Sequence, residues 1–509
     1  MYPDNSSALP MLIRVDVPDH TNAISTSLYG STLLEVPEDI SWRYESLAVV
    51  DSPMLIDSAD DSFYADHFTN TVANTELLDV MNIHTWHNQG HTGQGVSVAV
   101  FDVEWLGVDW AHPELGAIQS HDCFAHPSCA IPIDSAHPIF GFERGVHGLA
   151  CTEVIRDVAP DADIHVLRVL GLTSLENAVD WAIREDIDII SMSLSFFNES
   201  FYDGTGRIND LVDKLRIHDI VLVTSSGNYA RNHAQGQLVD NNLDKQHDFL
   251  DTRGLPIYYT QGLWNINVLW NEFGNCGTTD INAFLYDRDG NLVAKSLRQQ
   301  TPITETNPSC FPLEIVTADI SVADWYFLQL EIEHSSQLPR FDIMARGGYV
   351  YQAQGEGSIV DPGTHPSAFT VGAVRIDNYL QNDIEVFSSF GPTNNDLQKP
   401  DVVAPDGIDS LAYGSKNFFG TSAATPAVAG AMAVLKSAHP TWSNYQIKEE
   451  IEKNAISSDL GIIRSQTMGH GKIRLPNTNE ATTQCSGLLL IFPVLCMWFG
   501  RMQRVQIPK

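Results

Sequence analysis

Residues 418–435 read FFGTSAATPAVAGAMAVL. Val428, Ala431, Met432 and Leu435 recur at helical spacing and mark the buried face of a helix. Gly420 lets the chain turn sharply ahead of that helix, because no Cβ has to be fitted. Pro426 is tolerated only in a first helical turn, where its missing N–H is not needed. The helix is therefore expected to start just before it, with Ser422 at its N-terminus. Unpaired N–H groups and the helix dipole favour negative charge there. Standing alone, such a serine would be a helix cap.

Working outward, apolar runs alternate with helical patterns. Gly95–Asp102 (GVSVAVFD) is a short apolar run ending in a carboxylate, the mark of a buried parallel strand. Ile164–Val169, Ile187–Leu194, Ile220–Ser225 and Phe369–Val374 are further strands. Ser174–Arg184 is a helix, and Ile208, Leu211, Val212 and Leu215 lie on one face of another. This rhythm predicts an α/β fold with a doubly wound, mostly parallel sheet. It breaks near Gln235. Residues 240–350 read as short strands and turns, among them GLWNINVLWN, DINAFLYD and DWYFLQLEIE, with Asp289-Gly290 as a hairpin signal. An inserted all-β sandwich is expected there. Asp287, Asp289 and Asn291 alternate as in a calcium loop, but the glycine and distal glutamate of an EF-hand are missing, so a plain turn is expected. The division that follows is an N-terminal extension or propeptide over 1–80, an α/β domain over 81–239 and 351–476, the insertion over 240–350, and a linker and tail over 477–509.

Composition narrows the function. With 29 Lys+Arg against 64 Asp+Glu, the net charge of −35 repels phosphate backbones, so nucleic acid is not an expected partner. The seven cysteines include no CxxC and suggest no zinc ribbon. Cys123 with Cys129, and Cys276 with Cys310, are either disulfides of an exported protein or small buried hydrophobes. Cys151 reads as a packed thiol one turn after His147. Residues 1–18 show no basic and apolar signal-peptide pattern. Gly487–Gly500 (GLLLIFPVLCMWFG) is an apolar run followed by Arg501, Arg504 and Lys509. It is shorter than the roughly 20 residues of a spanning helix. It reads either as a surface-attachment tail, with the protein outside the cytoplasm, or as a buried terminal element.

Two further segments complete the chemistry. VAVFDVEW places Asp102 at the carboxyl end of a strand, the edge where ligands gather in open α/β sheets. ERGVHGLACTEVI places His147 before a glycine at a helix start. The order Asp102…His147…Ser422, with Gly420-Thr421-Ser422-Ala423-Ala424-Thr425-Pro426, resembles the subtilisin-like (subtilase) serine proteases. FSSFGPT…KPDVVAP at 387–405 and SMSLS at 191–195 match as well. Val103-Glu104-Trp105 departs from the family, which usually has a small residue and Gly there. Leu149 and Ala423 also differ from the usual residues.

The resemblance implies a serine endopeptidase acting on protein or peptide substrates. His147 would be the base, Asp102 its orienting carboxylate, Ser422 the nucleophile and Asn228 of SSGN the oxyanion donor. Ser193, Leu194 and Ser195, with Ser226 and Gly227, would line the substrate. Ser195 stands where Gly is usual and is expected to disfavour the bulkiest aromatics before the scissile bond. No cofactor is expected. The resemblance allows structural calcium, for which no ligand cluster stands out. A monomer is expected. The competing reading is an inactive subtilase-fold protein that binds peptides or surfaces. The β-insertion resembles bacterial pre-peptidase C-terminal modules. Trp264, Trp270 and Trp325 in it would either stack on carbohydrate or pack its core.

Overall fold

The computed structural model describes residues 74–108, 115–116, 118–134, 145–273, 278–300, 311–457 and 465–477, with the backbone of short strands at Ser25–Ser27, Thr32–Leu34 and Val49–Val50. The C-terminal tail, Cys276, Cys310, Cys485, Cys496 and most of the extension over 1–80 lie outside the described residues. Among the described residues no helix is long and apolar enough to cross a membrane.

The apolar runs assemble into a seven-stranded sheet in the order Val402–Asp406, Phe369–Arg375, Val221–Ser225, Ile189–Met192, Ser97–Asp102, Asp163–Arg168, Gln119–Asp122. Every neighbouring pair is parallel. Both faces are covered, as all-parallel sheets require. Val98 and Val100 point into a core shared with the helices His147–Val158 and Thr421–Ala438. Ala99 and Phe101 point into the opposite core, with Leu172–Arg184 and Arg207–Ile217. The sheet is thus doubly wound.

The helix Thr421–Ala438 is buried without a break from Thr421 to Leu435. A buried Met or Leu contributes about 1.5–3 kcal/mol, so Met432 and Leu435 anchor the helix firmly. A Cβ on Gly430 would lie 2.7 Å from Cβ of Val158, so only glycine admits the His147 helix this close. Pro426 departs from expectation. It lies beyond the first turn, because the helix begins at Thr421. Its missing N–H leaves the Ser422 carbonyl without its intrahelical partner, and the neighbouring segments supply the replacement.

Between the strands Val221–Ser225 and Phe369–Arg375 the chain forms two antiparallel sheets. One has four strands: His233–Gln237, Arg340–Ala345, Gly262–Trp270 and Leu313–Ile320. The other has five: Leu292–Ser296, Thr279–Tyr286, Asp324–Ser335, Leu255–Tyr259 and Tyr349–Val350. They share one apolar cluster, to which Ile266, Val316 and Ile343 contribute from the first sheet and Ile257, Ile281 and Leu330 from the second. The first strand starts at His233, earlier than the expected 240. Its sequence, HAQGQ, has no β-branched residue, so propensity gives no signal. Tertiary contacts hold it: buried His233 bonds Asp342 at 3.1 Å and the Gln354 carbonyl at 2.7 Å. Asp287 accepts the Asp289 and Asn291 N–H groups at 2.9 and 2.8 Å and closes a turn, as expected. Trp270 is fully buried and packs the core. Trp325 instead sits among Tyr258, Tyr349 and Tyr351, all partly exposed. Cys123 and Cys129 are disulfide-bonded.

Several carboxyls are buried within the fold. Burial pushes Asp361 to about 6, Asp406 and Glu104 to about 7 and Glu314 to about 8. The unfolded chain releases these protons near pH 4, so between that pH and the folded values the native state binds more protons. The contribution of these carboxyls to stability then falls as pH rises and opposes that of His121, His247, His365 and His439, whose pKa values burial lowers. A thermal scan of the protein is expected to show the midpoint dropping by roughly 5–10 °C from pH 5 to pH 8. A midpoint that rises over that interval would mean that the histidines outweigh the carboxyls.

Candidate active site

Each candidate residue lies at the carboxyl edge of the parallel sheet or on a helix facing it. Asp102 ends the strand Ser97–Asp102. Ser193, Leu194 and Ser195 follow Ile189–Met192, and Ser226, Gly227 and Asn228 follow Val221–Ser225. His147 and Ser422 open their helices.

Asp102, His147 and Ser422 are all fully buried. His147 Nδ1 lies 2.7 Å from Asp102 Oδ2. The other carboxylate oxygen, Oδ1, accepts the N–H groups of Val103 at 2.7 Å and Glu104 at 3.1 Å. Asp102 is thus held by its own turn and has one oxygen left for the imidazole. Burial disfavours the imidazolium, but the adjacent Asp102 carboxylate outweighs it, so the His147 pKa lies well above its usual value. His147 Nε2 is buried and makes no hydrogen bond. An imidazole fixed at one nitrogen and bare at the other is equipped to take a proton.

The Ser422 carbonyl, deprived of its partner by Pro426, accepts the Ser193 hydroxyl at 3.2 Å and the Cys151 thiol at 3.7 Å. Ser193 and Cys151 therefore fix the turn that carries Ser422. Cys151 Sγ also lies 4.0 Å from His147 Nδ1. Burial pushes its pKa up, so it stays a thiol. Ahead of the helix, Gly420 has φ +97°, a conformation that a side chain would strain. The Gly420 N–H donates to Asp406 Oδ2 at 3.0 Å. Burial raises Asp406 to about 7.

Asn228 turns its side-chain oxygen toward Thr421, accepting the N–H at 3.1 Å and the hydroxyl at 3.2 Å. Its loop is clamped by Ser389 of the FSSFGPT segment, whose N–H donates to the Gly227 carbonyl at 2.8 Å and whose hydroxyl accepts the Tyr229 N–H at 2.9 Å. Leu194 and Ser195 are buried. They pair antiparallel with Val49–Val50, Val49 opposite Ser195 and Val50 opposite Leu194. That edge therefore accepts a strand.

Sequence reasoning missed Asp406 and the main-chain role of Ser193. A signal for Asp406 existed: like Asp102, it ends a strand, Val402–Asp406. Nothing local marked Ser193, whose partner lies 229 residues away. Among the described residues, one group of ligand-type side chains lies close together: Asp102, His147 and Cys151. Calcium takes six to eight oxygen ligands, so a carboxylate, an imidazole and a thiol do not suit it.

The fold has a counterpart in the structure of the Clostridium perfringens CspB protease. The TM-score is 0.56 at 16% identity, over 80% of this chain and 98% of that one. The Minor extracellular protease Vpr of Bacillus subtilis (strain 168) is 26% identical over 447 residues, covering 78% of this chain and 53% of that protein. This chain thus spans about half the length of that relative. Subtilisin NAT of Bacillus subtilis subsp. natto is 23% identical over 404 residues, 77% of this chain and 68% of that protein. The sequence profile of the Subtilase family matches residues 136–266 and 322–480, more than half of the chain. It takes in His147, Asn228 and Ser422 and begins downstream of Asp102. An imidazole braced by a strand-end carboxylate, a serine opening a buried helix and a profile spanning both place the chain in the subtilase family.

Proposed function

We propose that the chain is a subtilisin-like serine endopeptidase working through Asp102, His147 and Ser422. One observation carries the reading: His147 is bound to Asp102 through Nδ1 and keeps Nε2 bare in a buried site beside the Ser422 helix. The Ser422 hydroxyl attacks the scissile carbonyl carbon as Nε2 takes its proton, and Asp102 stabilises the imidazolium. The tetrahedral oxyanion is held by Asn228 Nδ2 and the Ser422 backbone N–H. Asn228 suits this role because its oxygen is committed to Thr421, leaving the amide nitrogen as the donor end. The C–N bond then breaks, the imidazolium gives its proton to the leaving amine, and water hydrolyses the acyl-enzyme with His147 again as base.

Substrate lies as an antiparallel strand against Ser193-Leu194-Ser195, with Ser226 and Gly227 on the other side of the residue before the scissile bond. The pairing of Val49–Val50 with this edge supports that mode. It also supports a propeptide role for residues 1–80, whose Val49–Val50 pairs with this edge. The relative Vpr, an extracellular protease, favours an extracytoplasmic location, with Gly487–Gly500 as an attachment tail. The two-sheet unit is read as an inserted β-sandwich, and the rings of Tyr258, Tyr349 and Tyr351 around Trp325 are its best candidate for carbohydrate or cell-surface contact.

The test is a fluorophosphonate probe with mapping of the adduct, beside casein digestion. The adduct is expected on Ser422, and labelling is expected to strengthen once the N-terminal segment has been removed. Cleavage sites should avoid Phe, Tyr and Trp before the scissile bond. A folded, N-terminally processed protein that takes no label would favour the peptide-binding reading instead.

A further inference from the structure

Glu104 stands where the family usually has a small residue or Gly, and the structure uses all of it. It follows Asp102 by two residues and is 9% exposed. Its N–H donates to Asp102 Oδ1 at 3.1 Å, and its carbonyl accepts the Gly148 N–H at 3.0 Å. Its carboxyl accepts the backbone N–H of His147. Val146, at the N-cap position of the His147 helix, makes no side-chain cap hydrogen bond, so Glu104 caps this helix from a different segment. Two glycines make room for it. A Cβ on Gly145 would lie 1.8 Å from Glu104 Oε2, and one on Gly148 would lie 2.8 Å from the Glu104 carbonyl oxygen.

We infer that Glu104 is a positioning residue for His147, anchoring its helix from the main-chain side and adding a second carboxyl to the site. A neutral cap would satisfy the helix without burying a carboxyl, so capping alone leaves the acid unexplained. Burial pushes Glu104 up to about 7; charged His147 opposes that rise and Asp102 reinforces it. Coupling between two sites is reciprocal. If the imidazolium favours the Glu104 carboxylate, the carboxylate favours the imidazolium equally. The imidazolium is the species that forms when His147 takes the Ser422 proton, so ionised Glu104 stabilises it and protonated Glu104 does not.

Among the described residues, the groups facing this carboxyl are Asp102 from the strand and His147 from the helix, with Cys151 one turn further along as a neutral thiol. Glu143 and Arg144 lie outside the described residues, and an Arg144→Ala control isolates any charge they bring.

The inference rests on His147 being the base, yet its main test needs no activity. The His147 imidazole is titrated by NMR in ¹⁵N-histidine protein carrying Ser422→Ala to prevent self-digestion. Glu104→Gln, which keeps an acceptor for the His147 N–H and removes the charge, is expected to lower the His147 pKa by about half a unit or more. Gly145→Ala, which crowds the carboxyl out of its niche, should shift it in the same direction. With Ser422 intact, Glu104→Gln should move the acid limb of kcat/KM to lower pH and reduce the plateau kcat roughly 3- to 10-fold at unchanged KM. A His147 titration in Glu104→Gln that coincides with that of the parent protein overturns the inference. An inactive parent with a shifted titration would refute the peptidase reading and leave the inference standing.

Discussion

Ser422→Ala is expected to abolish fluorophosphonate labelling and to lower kcat by about 10⁶, a figure measured on a subtilisin and so on a relative of this chain. The effect should be this large because the remaining parts cannot replace the nucleophile. His147 would have no hydroxyl to deprotonate, and residual turnover would come only from oxyanion stabilisation and substrate placement. The fold should be unaffected. Ser422 contributes its carbonyl to Ser193 and Cys151 through the main chain, which the substitution retains. The measurement is kcat on a chromogenic peptide, with the thermal midpoint as control. A variant that keeps more than about one-hundredth of the parent activity would exclude Ser422 as the nucleophile.

Asp102→Asn is expected to cost about 10⁴ in kcat with the protein still folded. The hydrogen bonds dictate why. Oδ1 of Asp102 accepts two backbone N–H groups, from Val103 and Glu104, and Oδ2 faces His147 Nδ1. An asparagine can keep an oxygen on only one of these sides. If the oxygen stays on the backbone donors, the NH₂ faces Nδ1 and makes that nitrogen an acceptor. The ring proton then moves to Nε2, the atom that must accept from Ser422, and the base is lost. If the amide flips, two backbone donors face an NH₂ group and the turn is disrupted. The first arrangement preserves the fold, so activity should collapse while the thermal midpoint falls little. Raising the pH does not restore the tautomer, so the loss should persist across the pH profile. A loss of under tenfold would mean that Asp102 does not hold the working imidazole.

The parallel core and the places of Asp102 and Ser422 in it were legible because both are local properties. A run such as Ser97–Asp102 can be buried on both faces only as an inner strand, and its terminal carboxylate lands on the ligand edge of the sheet. Gly420 and the apolar face of the following helix place Ser422 at a helix start without reference to any other segment. Pro426 was expected within the first turn and sits beyond it. Its lost N–H is a local fact, but the groups that compensate for it, Ser193 and Cys151, arrive from elsewhere in the chain.

Residues 233–237 show the opposite case, a strand with no propensity of its own that exists because Arg340–Ala345 pairs with it. Glu104 is the clearest such residue. By itself the sequence marked it only as a departure at a familiar position. That it is buried, caps the His147 helix and fills the space left by Gly145 was decided by tertiary structure. Sequence pattern determines which backbone conformation a segment adopts and which face it buries. Which polar group satisfies which, and how far burial moves a proton, depends on segments that meet only once the sheet and its helices have closed around the site.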